Sequence, residues 1–194
     1  MEQLILQPNS TAEWHALVSD TINETKITLP EDIESYLVFL LMRFTKDVDL
    51  AKKIVAIDFL EGQKQTGNQK QNKLRDVGDL CLLFSGLFPE RALKRKLKVS
   101  YYVTIGQSAY NNLGQESSNS LANLFSNLSK SFVALMDILQ NMRKFNSSDN
   151  LLEPLYAEEM WSDTGSLSAL QTLQQYTTDS NIIVNKNINH DIKH

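Results

Sequence analysis

Residues 73–114 read KLRDVGDLCLLFSGLFPERALKRKLKVSYYVTIGQSAYNNLG, and the chain folds as this run folds. From Asp76 to Phe88, the residues Leu80, Leu83, Phe84 and Leu87 recur at i, i+3, i+4 and i+7. That is the spacing of one apolar helix face. Val77, Cys81 and Phe88 widen the face until little of the helix is left for water. Gly78, Ser85 and Gly86 are small residues inside the same helix. A glycine there costs roughly 1 kcal/mol relative to alanine. The expected return is close approach of another helix, with a ligand slot as the alternative.

Arg75 and Asp79 stand i, i+4 apart and can pair along the helix. If Asp79 is buried, it needs a hydrogen-bonded partner. With Asp76, these two residues make either a polar site at the mouth of a bundle or a network at the start of a helix, where acids favour the dipole. Phe88-Pro89 breaks the pattern, because proline disfavours helix in the residue before it and suits the first turn of a new one. A short helix is predicted over 89–97. Arg91, Lys94, Arg95 and Lys98 would form one basic face on it, able to hold phosphate, an anionic lipid head group or an acidic partner, or to remain solvated. In the last piece, Tyr102, Gly106 and Tyr110 are spaced by four. Two rings flanking a glycine leave a notch for a neighbouring helix or, alternatively, a flat ligand. Gly114 is a reasonable stop.

Working outward, Ser10-Thr11-Ala12-Glu13 reads as a capping box before Trp14, Leu17, Val18 and Ile22. Pro30-Glu31-Asp32 opens a second helix to about Phe44, with Ile33, Leu37, Leu40, Leu41 and Phe44 as its core face. A third, capped by Asp47 or Asp49, is predicted to about Gly62. Residues 63–72, QKQTGNQKQN, have no apolar anchor and are expected to be a mobile loop. From Ser117 to Phe145, Leu121, Leu124, Phe125, Leu128, Phe132, Leu135, Met136, Leu139 and Met142 keep a three-four rhythm, predicting one long helix. Further helices are expected from Pro154 and around Leu167, Leu170 and Leu173. Residues 177–194 lack helical periodicity and read as a flexible tail after a single domain over 1–176.

The chain has 194 residues, a net charge of -4 and 42% hydrophobic residues, enough for one core. The acidic balance argues against a dedicated nucleic-acid binder. A single cysteine excludes an internal disulfide and cysteine-based zinc sites. Cys81 reads as an inert core residue. Neither a signal peptide nor a transmembrane segment is evident, so the cytoplasm is the expected compartment. There is no Glu-x-x-His pair for a di-iron site, no phosphate-binding glycine loop and no His-Glu-x-x-His. Two of the three histidines lie in the last five residues, which disfavours a catalytic triad.

The segment RDVGDLCLLFSGLFPERALKRKL followed by VSYYVTIGQSAY resembles a run in a family of uncharacterised helical proteobacterial proteins. The resemblance covers under a fifth of the chain, residues 75–97 and 99–110, and implies no activity. It singles out Arg75, Asp79, Gly86, Tyr102 and Gly106.

The reading is an all-α single bundle of six to eight helices. The expected function is a non-enzymatic interaction or regulatory protein, with no cofactor or metal, a protein partner, and a monomeric or homodimeric state. The alternative is a small-molecule-binding bundle like haem oxygenase. It would use His15 and the glycine-rich helices, although the fuller distal-helix pattern of that family is missing. Candidate binding residues are Arg75, Asp79, Arg91, Lys94, Arg95, Tyr102, Gly106 and Tyr110.

Overall fold

A computed structural model of the chain describes residues 11–46, 55–90, 92, 96–144 and 153–188. Among the described residues there are nine helices and no strand. They are α1 (Thr11–Thr25), α2 (Glu31–Lys46), α3 (Val55–Lys64), α4 (Gly67–Gly86), α5 (Val99–Glu116), α6 (Asn119–Lys130), α7 (Phe132–Lys144), α8 (Pro154–Thr164) and α9 (Leu167–Ile188). The all-α bundle read from the periodicity is the fold observed.

The opening stretch is its centre. Helix α4 packs along α5, and α7 lies across both. Helix α3 closes the N-terminal part of α4, α6 returns along α5, and α1 bridges α2 and α7. Helices α8 and α9 pair with each other on the side of α5 and α7. The last ten residues of α4, Val77 to Gly86, are all buried, as the all-round apolar spacing requires. Ile33, Leu37, Leu40 and Leu41 are the buried face of α2, and the Pro30 carbonyl accepts the first amides of that helix. Gly165 ends α8 at φ 73°, a left-handed position suited to glycine, and its N–H donates to the Trp161 carbonyl at 2.8 Å.

Three expectations change. The polar stretch 63–72 is not a loop, because α4 already begins at Gly67. Its Gln, Asn and Lys residues need no apolar anchor, because this end is held at the surface. Lys70 pairs with Glu116 at 2.5 Å, and Lys73 pairs with Glu61 and with Asp58. Gly114 does not stop α5, which runs on to Glu116. It instead lets α6 come close, since a Cβ there would lie 3.1 Å from the Ser126 amide nitrogen.

The third change is a break in the long predicted helix. Ser131, at φ -88° and ψ 6°, leaves the helical region between α6 and α7. The backbone hydrogen bonds bridge the joint, from Ser131 N–H to the Asn127 carbonyl at 2.8 Å and from Leu135 N–H to the Ser131 carbonyl at 2.9 Å. The apolar rhythm crosses it unbroken, which is why spacing alone predicts one helix. At the other end of the chain, α9 continues to Ile188, into the stretch that lacks periodicity.

Candidate functional site

Asp79 lies where α2, α4 and α5 meet. It is 3% exposed. Its Oδ1 accepts the hydroxyl protons of Tyr36 from α2 and Tyr110 from α5, each at 2.6 Å. Its Oδ2 pairs with the Arg43 guanidinium, which also stands 3.4 Å from Asp76 Oδ1. The two tyrosine rings meet edge to face at 6.3 Å, and both contact Phe125 of α6. A single carboxylate therefore ties three helices together.

Burial pushes the Asp79 carboxyl above its ordinary value, against the opposing pull of Arg43, the two phenols and the charge of Arg75. Burial also raises both phenols well above the usual tyrosine range, and the Asp79 charge adds to it. Tyr36 and Tyr110 thus stay protonated and act as donors. Chemically the cluster is a clamp, because each carboxylate oxygen already has a protein partner.

The pH dependence has a definite sign. The folded chain holds the Asp79 proton to higher pH than the unfolded chain, whose carboxyl titrates near 3.8. The group's contribution is full below that value and is lost as pH rises through the raised folded value. The stability of wild type minus that of Asp79→Asn, from urea melts, is expected to grow as pH falls toward 3.8. A gap that shrinks on acidification would mean that the Arg43 pair outweighs burial.

The pairing of Arg75 with Asp79 is not the one that forms, because the acid turns to Arg43. Arg75 adds its charge nearby, and its buried Nε makes no hydrogen bond. Nor is Asp79 at a helix start: it lies on the fourth turn of α4. The Tyr102, Gly106 and Tyr110 notch is filled by the protein itself. A Cβ on Gly106 would strike the Phe132 ring of α7 and stand 2.8 Å from the Cys81 Cβ of α4. Gly78 meets the Tyr110 ring in the same way, and Gly86 meets Leu139. Tyr102 packs on Phe84, ring centroids 5.6 Å apart. The glycines mark helix crossings, the structural option read from their spacing. Cys81 is buried, and burial pushes its thiol up.

Arg91, Lys94 and Arg95 lie outside the described residues. Lys98, the described member of that basic face, reaches Glu159 at 2.8 Å and Asp163 at 3.2 Å on α8. His15 is at the surface of α1, its Nε2 3.6 Å from Glu34 Oε1. Among the described residues, no group of three or more histidine, cysteine or acidic side chains is placed to hold a metal ion. None of the described helices is long and apolar enough to cross a membrane.

Two further features depart from what spacing predicts, the second on the helix from Pro154, whose apolar residues up to Trp161 are expected to pack on the bundle as a lid. One is Asp137 of α7, 2% exposed, which caps α9 from outside that helix. It accepts Ser166 Oγ–H at 2.5 Å, Leu167 N–H at 2.9 Å and Ser168 N–H at 3.3 Å. Its carboxylate thus meets the orphan amides and positive end of the helix. Asp137→Ala is expected to cost about 1–3 kcal/mol in chemical unfolding. It should also speed amide exchange at Leu167 and Ser168, and unchanged exchange would contradict the capping role.

The other is the outer face of α8. Leu155 is 83% exposed and Trp161 43% exposed. Leu155 and Tyr156 share a shallow cavity of about 540 Å³ with Lys98 and the carboxylates of Glu153, Glu158, Glu159 and Asp163. Large apolar side chains rimmed by charge are what a protein-binding surface offers.

No family model, curated protein or solved structure matches the chain. The fold and its sites define a helical bundle pinned inside by two buried carboxylates, Asp79 and Asp137, with an acid-rimmed, partly apolar helix on its outside.

Proposed function

We propose that the protein works by binding another protein, as an interaction or regulatory module. The observation that carries this is the outer face of α8, where Leu155 stands in water beside four carboxylates, with Trp161 half-exposed on the same helix. Exposed leucine and tryptophan cost solvation in a free monomer, and aromatic residues dominate the energy of protein interfaces. The buried polar groups of the α2, α4 and α5 junction support the same reading, since they are spent on holding the bundle. The compartment consistent with it is the cytoplasm, and the working form is a monomer or homodimer.

The test compares the immobilised wild type with a Leu155→Asp, Trp161→Asp variant of equal melting temperature. Proteins retained from a cell extract are identified, and the complex is re-formed from purified components. The expected result is a partner held by the wild type and lost by the variant. Identical retention by both removes α8 from the reading. A parallel Arg91→Glu, Lys94→Glu, Arg95→Glu variant tests the basic stretch, which would lose the partner instead if that face carries the binding.

A further inference from the structure

Building on the interaction reading, we propose that the α8 face takes a lysine- or arginine-rich partner segment that carries apolar side chains, an amphipathic basic helix being the simplest form. Leu155, Glu158, Glu159 and Ser162 are spaced i, i+3, i+4 and i+7, so they form one stripe. Its leucine is almost fully in water. Glu153 and Asp163 extend the acids to both ends of the helix, so the cavity lining sets four carboxylates against one lysine.

The chain already shows how this face treats a cation. Lys98 Nζ sits 2.8 Å from Glu159 Oε1 and 3.2 Å from Asp163 Oδ2, and Ser100 Oγ donates to the same Asp163 oxygen at 3.1 Å. One ammonium group is thus held at the Asp163 end, while Glu153 and Glu158 are exposed. Among the described residues Glu153 and Glu158 have no ion-pair partner, so a second cation, brought by a partner, finds charge there, and its apolar neighbours find Leu155 and Tyr156. The same charges repel phosphate, which disfavours nucleic acid and anionic lipid surfaces. Complementary charge of this kind sets the choice of partner and speeds encounter, while the apolar residues supply the burial.

The probe is a labelled 18-residue peptide of leucine and lysine in amphipathic order, with a leucine-glutamate peptide of the same pattern as its mirror. Fluorescence anisotropy with the full chain is expected to show binding of the lysine peptide only, weakening as salt is raised. Glu153→Lys with Glu158→Lys should weaken it by on the order of tenfold, the equivalent of about 1.4 kcal/mol. Leu155→Ser should weaken it as well. Both variants leave the acids that hold Lys98 untouched, so their melting temperatures should match the wild type. Glu31→Lys with Asp32→Lys, on α2, is the control that should bind normally.

Equal binding of both peptides, no binding of the lysine peptide, or indifference to the Glu153 and Glu158 reversal overturns the proposal. So does a chain that self-associates through these acids at low salt, which would make a second copy the occupant. If the peptide fails while Leu155→Asp, Trp161→Asp still loses its cellular partner, the interaction reading stands and the basic chemistry falls. If neither responds, both fall.

Discussion

Replacing Asp79 by alanine is expected to destabilise the fold by about 2–4 kcal/mol, chiefly because two inward-facing phenols are left without an acceptor. The hydroxyls of Tyr36 and Tyr110 lose their acceptor, and an unsatisfied buried donor costs about 1–3 kcal/mol. Tyr110 is fully buried and has no route to water. Arg43 moderates the loss, because its side chain is 41% exposed and can turn outward. For a chain of this size the melting temperature should fall by on the order of 10 °C. Arg43→Ala should cost less, since both phenols still donate to the carboxyl group and its raised proton affinity lets it neutralise. Tyr36→Phe and Tyr110→Phe should each cost about 1–2 kcal/mol. Urea unfolding of the four variants checks the order. An Asp79→Ala loss below about 1 kcal/mol would mean that water already reaches the cluster.

Gly106→Ala should destabilise by about 1–3 kcal/mol, the cost of overpacking a filled core, although glycine to alanine inside a helix normally gains roughly 1 kcal/mol. The reversed sign follows from the crossing of α4, α5 and α7. The added carbon would enter the Phe132 ring and approach the Cys81 Cβ to 2.8 Å. Neither can give way easily, because both are fully buried. Adding Phe132→Leu should recover part of the loss, giving a coupling of roughly 0.5–3 kcal/mol in a double-mutant cycle. Gly62→Ala is the internal comparison. Its nearest neighbour is the end of the flexible Leu74 side chain at 3.3 Å, so the change should be close to neutral. A stabilising Gly106→Ala would mean that the helices do not approach so closely.

The two substitutions also mark how far the chain can be read from its sequence. The meaning of Gly106 is accessible from spacing, because a glycine between Tyr102 and Tyr110 in an apolar helix has few uses other than a close crossing. The meaning of Asp79 is not. Its spacing names Arg75, four residues away on the same helix, and the actual partner is Arg43, on another helix 36 residues earlier. Tyr36, which completes the clamp, sits in an apolar run and gives no polar signal. Asp137 is equally silent, because its role depends on where the first turn of α9 docks.

Local spacing suffices for the helical class, for the apolar faces of α2 and α4, and for the helix starting at Pro154. Each of these follows from the 3.6-residue turn and from side chains that must leave water. The break at Ser131, the continuation of α5 past Gly114 and the partners of Asp79 belong to the assembled bundle. A buried charge is satisfied by whichever donor the crossing helices bring within about 3 Å. That choice is made by three-dimensional packing, to which the linear order of residues four or 36 positions apart is indifferent.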